Sequence, residues 1–471
     1  MTGTRKRLVF LVFAATAALL PGAPGGRLAA AAAFSAVPLT DTGASTYFGF
    51  AGGLYPGGNL VPVTHGAAGA ARAAAVTPLD TNGNPSAGGK IVMVSIGMSN
   101  TTQEFCNPAN PAPCNSWSFV GQAAADPGVN HSTLALVNGA AGGKSASYWV
   151  SPALPDYDRV RDTDLAPAGL TEKQVQIGWV KVANPGPTVS LPSASSDAYT
   201  LETQMGQIVR AMKTRYPNLK LVYFSSRIYA GNATTTLNPE PYAYEYGFAV
   251  KWIVQAQIDQ MANGGTIVDS RAGDLNYNTG APWIAWGPYL WANGTAPRSD
   301  GLTWQLADFQ SDGTHPSQSG QTKVAGLLLS FFKAEPTARP WFLAAAPALS
   351  FHAASPCRVA DTRNPAGPLG GPALAANGSR SFQIAGQCGV SPTAKATALN
   401  VTVTAPSAAG FLRLYPGDST PPATSTISYS AGQTRADNAV LGLGAAGDVG
   451  IHCDQNSGTV HVILDVVGWF E

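Results

Sequence analysis

The sequence predicts an α/β domain built on a parallel sheet, followed by a separate all-β domain. Two observations carry this expectation. From Ile91 to about Phe332, short continuous apolar runs alternate with longer segments of helical periodicity, the pattern of strands covered on both faces by the helices between them. After Pro340 the composition turns to Gly, Pro, Thr and Val, and short alternating segments separated by turn residues replace the helical ones. At 471 residues the chain also exceeds one comfortable core.

Residues 1–33 read as a signal peptide. Arg5-Lys6-Arg7 supplies the basic start, Leu8 to Leu20 the apolar run, and Ala29 to Ala33 the small residues of a cleavage region. That apolar run is too short to span a bilayer, so the expected location is outside the cell or on a bacterial cell surface. The α/β domain is expected over 34–340, its first stretch to about residue 89 being a Gly/Pro/Ala-rich wrap with Tyr47-Phe48-Gly49-Phe50 and Gly53-Leu54-Tyr55-Pro56 as aromatic anchors. Strands are expected at Ile91 to Ile96, Thr133 to Val137, Val175 to Val182, Leu219 to Ser225 and Thr266 to Asp269. Leu201, Met205, Ile208 and Met212 recur at helical spacing, as do Val250, Val254, Ile258 and Met261. A last helix, marked by Pro316 and Ser317, buries Val324, Leu327, Leu328 and Phe331. A linker over 341–348 then leads to the all-β domain, 349–471, with strands at Asn400 to Thr404, Phe411 to Tyr415, Thr426 to Tyr429 and Val460 to Val467.

Charge excludes one class of function. With 28 basic against 27 acidic residues, the chain lacks the phosphate-neutralising surface of a nucleic-acid binder. Five cysteines in an exported chain point to disulfides, and Cys106 and Cys114 bracket a proline-rich loop that a bridge would staple. Cys357, Cys388 and Cys453 allow one further bridge and a leftover thiol.

The chemistry lies in two distant segments, Ser95-Ile96-Gly97-Met98-Ser99-Asn100 and Asp312-Gly313-Thr314-His315. A serine becomes a nucleophile when an imidazole takes its proton and a carboxylate fixes that imidazole's tautomer. In a parallel sheet, ligands bind past the carboxyl ends of the strands, and Ser99 follows the first expected strand directly. Gly143, beyond the second strand, can bring its amide to a substrate oxygen, and Asn184, beyond the third, can donate from its side chain. His315 is then the general base and acid, Asp312 its orienter, and the amides of Ser99 and Gly143 with the Asn184 side chain form the oxyanion hole.

In these residues the chain resembles the SGNH or GDSL-type hydrolases, whose sequence blocks carry Ser, Gly, Asn and an Asp-x-x-His pair in this order. The resemblance covers about residues 90–333 and implies a three-layer flavodoxin-like fold and esterase activity through an acyl-enzyme, with no metal or cofactor. Met98 stands where many members carry aspartate, and Lys181-Val182-Ala183-Asn184-Pro185 replaces the Gly-x-Asn-Asp block. The segment Asn138 to Ala146 is similar to the rhamnogalacturonan-acetylesterase branch, which implies an O-acetylated polysaccharide as substrate. Through Pro356 to Arg363, Ala431 to Asn438 and Asp465 to Phe470, the last domain resembles a β-rich module of secreted bacterial proteins, with attachment to a cell surface or polymer as the expected role. The competing expectation is a non-catalytic surface protein that binds carbohydrate on the same fold. Beside the site, Tyr148, Trp149, Trp283, Trp286, Tyr289 and Trp291 are expected mainly in the core, with a sugar platform as the alternative. Arg227 and Tyr229 could line the cleft; Glu104 and Glu245 are weaker functional candidates, the alternative for either being a bond to a backbone amide near a helix start.

Overall fold

The computed structural model describes residues 34–108, 113–344 and 349–471; the expected signal peptide and residues 345–348 of the expected linker lie outside them. The chain divides into two compact units, Met1–Ala345 and Ala346–Glu471. The first is an α/β domain and the second an all-β domain.

Five parallel strands form the sheet of the first unit: β1 (Ile91–Gly97), β2 (Leu134–Val137), β3 (Val175–Lys181), β4 (Leu221–Phe224) and β5 (Trp283–Trp286), side by side as β2-β1-β3-β4-β5. Val94 pairs with Val137 on one side of β1, and Gly97 with Lys181 on the other. The order reverses at β1, so a crevice opens at its carboxyl end between β2 and β3.

Largely apolar runs make this possible, because every residue of β1, β3, β4 and β5 is buried, Ser95, Gln176 and Lys181 included. Alternate β1 side chains enter different cores. Val92, Val94 and Ile96 pack with Leu201, Met205, Ile208, Val250 and Val254 from helices α1 (Asp197–Arg215) and α2 (Tyr242–Ala262). Ile91 and Met93 pack with Val324, Leu328 and Phe332 from helix α3 (Gln318–Ala334). The Ser317 hydroxyl caps α3 by accepting from the Gly320 amide at 3.5 Å.

One expected strand is wrong. Thr266 to Asp269 is not a strand: it follows the left-handed Gly264 and Gly265, and Ile267 and Val268 face solvent. The fifth strand is instead Trp283-Ile284-Ala285-Trp286, whose Trp286 pairs with Phe224 of β4. The N-terminal wrap also holds a helix, Val63–Ala74, which alanine propensity favours and which buries one face through His65, Gly69 and Ala73. The anchors Tyr47 and Tyr55 pack inward, while Phe48 is exposed. The Tyr47 hydroxyl and the Leu191 amide both donate to Glu245, each at 3.0 Å, so Glu245 ties the wrap to α2.

Helix α1 carries a pH-dependent element. Burial, reinforced by the nearby Asp269 charge, pushes Glu202 from its ordinary 4.5 up to about 8. The folded state therefore holds a proton that the unfolded chain releases near pH 4.5. This contribution to stability is full below pH 4.5 and is lost as pH rises through about 8. The melting temperature of the native protein is expected to fall across that window relative to Glu202→Gln, and parallel melting curves against pH would remove the assignment.

The second unit holds two antiparallel sheets. One orders Ser379–Gln383, Asp448–Gln455, Gly410–Pro416 and Ile427–Tyr429, and the other Arg435–Gly442, Ala396–Thr404, Thr459–Phe470 and Phe351–Asp361. Their apolar faces meet in one core around Leu399, Val401, Leu412, Ile451 and Leu464. Charged residues of the sequence motifs pair with one another: Arg363 holds Asp361 at 2.7 Å and keeps it down at about 2, and Arg358 reaches Asp465 at 2.9 Å. Cys357 bridges to Cys388, leaving Cys453 as a buried thiol.

Candidate active site

Each residue singled out beyond a strand arrives at the crevice. Ser99 opens the helix Ser99–Phe105 directly after β1, and the turn between them needs Gly97. Gly97 has φ +157°, and a Cβ there would lie 2.2 Å from the Lys181 carbonyl oxygen. The first amides of a helix have no partner within it, so the chain turns at Ser99 with its backbone donors available.

The Asp–His loop, just before α3, meets this turn. Ser99 Oγ lies 2.7 Å from His315 Nε2, and His315 Nδ1 lies 2.5 Å from Asp312 Oδ2. Asp312 Oδ1 accepts from the amides of Thr314 and His315, both at 3.0 Å, which closes the loop on its own carboxylate. Burial opposes charge on Asp312, but the His315 ring and these two amides outweigh it and hold the carboxyl below its ordinary range. Gly313 permits the tight path at φ +65°, where a Cβ would fall 1.8 Å from the Asn232 carbonyl oxygen. The Asn100 side chain donates to the Thr314 carbonyl at 3.0 Å and joins the Ser99 turn to the His315 loop.

A buried ion pair fixes the helix that begins at Ser99. Lys181, the last residue of β3, places Nζ 2.6 and 2.5 Å from the two carboxylate oxygens of Glu104, and both side chains are fully buried. Burial pushes Glu104 up and Lys181 down, to about 8, while each partner pulls the other back toward its charged form. Thr101 Oγ1 adds a 2.6 Å bond to the Lys181 carbonyl. At the far end of the same helix, Cys106 bridges to Cys114. Glu104 thus bonds a lysine rather than a backbone amide.

Gly143 and Asn184 stand on either side of Ser99. They line one cavity of about 280 Å³ together with Ser99, His315, Arg227 and Asn238. Gly143 has φ +76°, and its amide meets no acceptor among the described residues. Asn184 donates to the Gln204 side chain at 2.6 Å, which fixes its amide and leaves the second amide hydrogen free. The loop carrying Gly143 is anchored by buried Asn138, whose Oδ1 accepts from Ser95 Oγ at 2.8 Å and whose Nδ2 donates to Thr102 Oγ1 at 2.7 Å.

The aromatic platform is absent from this cavity. Trp149, Trp283, Trp286, Tyr289 and Trp291 are buried in the two cores, and none lines the cavity. Tyr148 is exposed, its ring under the Lys144 ammonium at 4.5 Å. Arg227 lines the cavity as expected, whereas Tyr229 does not. Asn238 was not legible as a site residue, since it sits in an irregular loop after β4; its left-handed backbone, at φ +61°, is a signal only the structure supplies.

No protein-family model matches the chain, and no curated protein matches its sequence. Among solved structures, the chain is similar to the Bacillus licheniformis lipase BlEst2 in its propeptide form, at 11% identity over 83% of this chain and 76% of that one, with a TM-score of 0.19. It is also similar to the capsular polysaccharide assembling protein CapF from Staphylococcus aureus, at 9% identity over 80% and 95% with a TM-score of 0.16. The Tobacco streak virus coat protein matches at 12% identity over 26% and 84%, again with a TM-score of 0.16. Likeness at these TM-scores assigns neither fold family nor function.

Proposed function

We propose that the chain is an exported serine ester hydrolase of the SGNH type that works through an acyl-enzyme on Ser99. The observation that carries this reading is the unbroken Ser99–His315–Asp312 chain of hydrogen bonds at the wall of a cavity. The β2-β1-β3-β4-β5 order supports the three-layer flavodoxin-like fold that the sequence resemblance implies. Two disulfides are compatible with export, and no helix among the described residues is long and apolar enough to cross a membrane.

In the first step, Ser99 Oγ attacks the ester carbonyl as its proton passes to His315 Nε2. Asp312 stays ionised at Nδ1, so the imidazolium forms beside a fixed negative charge. The oxyanion of the tetrahedral intermediate lies between the Ser99 and Gly143 amides and the Asn184 side chain. His315 returns the proton to the departing alcohol, leaving the acyl group on Ser99, and water then enters by the reverse sequence. O-acetylated polysaccharide is the proposed substrate class, carried by the likeness of the Asn138 to Ala146 segment; the proposed role of the second unit is attachment to a cell surface or polymer.

A serine-reactive phosphonate tests the nucleophile independently of substrate. One adduct per chain on the peptide containing Ser99, with concurrent loss of 4-nitrophenyl acetate turnover, is expected; an adduct on another serine would refute the assignment.

A further inference from the structure

We infer that Gln321 is a positioning residue that sets His315 against Ser99, and that it does so by coupling the His315 loop to the Cys106–Cys114 bridge; the inference rests on the ester-hydrolase reading above. Gln321 lies in the first turn of α3, is only 4% exposed, and places its side-chain amide between three segments. Its Nε2 donates to the carbonyl of Pro316, the residue after His315, at 3.0 Å. Its Oε1 accepts from Asn107 Nδ2 and Trp117 Nε1, both at 2.9 Å, which fills the two lone pairs of an amide oxygen.

The bridge brings these two donors to one acceptor. Asn107 follows Cys106 directly and Trp117 lies shortly after Cys114, and the bridge is backed by the Asn115 amide, which donates to the Asn107 carbonyl at 2.5 Å. Cys106 also ends the helix that Ser99 opens. A continuous path of covalent and hydrogen bonds therefore runs from Ser99 along its helix to Asn107, across Gln321 and back to Pro316 and His315. On the other flank of the imidazole, Asn100 ties the Thr314 carbonyl to the Ser99 turn directly. A parallel path from Pro316 through the Gln310 side chain to Gln103 is exposed and closes only at 3.4 Å, long for a hydrogen bond, so it holds less.

Proton transfer depends on this placement. A displacement of about 1 Å between reacting groups costs on the order of 100-fold in rate, and a shift of either the bridged loop or α3 reaches the imidazole through Gln321. Gln321 does not line the cavity, so its loss acts on the chemical step rather than on substrate binding.

Three changes cut the path at different points. Gln321→Leu removes all three bonds; Gln321→Glu keeps an acceptor for Asn107 and Trp117 but replaces the amide donor to Pro316 by a carboxylate oxygen; Cys106→Ser with Cys114→Ser opens the loop. With 4-nitrophenyl acetate, each is expected to lower kcat by about tenfold or more while KM stays within about twofold. The leucine and cysteine changes combined are expected to lose little more than the larger single loss, because both interrupt one connection. Thermal melts on the same samples separate stability from rate, and should Gln321→Leu not fold, Gln321→Glu takes its place in both comparisons. Native kcat in Gln321→Glu, losses confined to KM, or losses that multiply independently on combination overturn the inference and leave the hydrolase reading standing. A native protein that turns over no ester sinks that reading, and the inference with it.

Discussion

Replacing Ser99 by alanine is expected to lower ester turnover by about 10⁴-fold or more while leaving the fold in place. The large effect follows because the proposed mechanism loses the only atom that forms a bond to the acyl group. His315 and Asp312 keep their mutual bond, and the Gly143 and Asn184 donors still surround the carbonyl, so a small residual rate above the uncatalysed reaction remains. Ser99 contributes one side-chain hydrogen bond to the folded state, which puts the stability change at about 1 kcal/mol or less. Initial rates with 4-nitrophenyl acetate and thermal melts, run on the same preparations, separate the two effects. Equal rates in both proteins would remove Ser99 from the chemistry.

The second large effect falls on stability. Lys181→Met keeps the volume of the stem but leaves the Glu104 carboxylate fully buried without the partner that holds both its oxygens, at an expected cost of about 3–5 kcal/mol. Glu104 then folds most readily as the neutral acid, so the deficit grows as pH rises and shrinks in acid. The double variant Lys181→Met with Glu104→Gln removes both charges and is expected to recover most of the loss. Denaturant titration followed by tryptophan emission reports on the first unit, since every tryptophan except Trp469 lies in it. A single variant as stable as the native protein, or a double variant no better than the single, would show that this pair does not carry the load.

Four strands of the parallel sheet were legible because each is a largely apolar run of strand length. The fifth was not: Trp283-Ile284-Ala285-Trp286 looks like an aromatic cluster in a loop, and only pairing with β4 makes it a strand. Thr266 to Asp269 has the opposite character, with strand-like composition but no neighbour to pair with. In the site, Ser99, Asp312 and His315 were legible because their chemistry depends on residue type and local spacing. The reversal of strand order then explains why Gly143 and Asn184 flank Ser99, since they follow the two strands that flank β1. The Glu104–Lys181 bond escaped notice because it joins residues 77 apart whose types are individually common.

Ser99 and His315 touch at 2.7 Å across 216 residues of chain. The serine leaves the ribosome long before the imidazole that activates it. Until the Asp312 loop seats against β1, Ser99 is an ordinary hydroxyl, unable to cleave an ester however exposed it is. Under the proposed mechanism, hydrolysis therefore begins as an event in the protein's own maturation. In that mechanism the emerging chain is chemically mute, and the first turnover announces that the Asp312 loop and the helix after it, Gln318–Ala334, have docked.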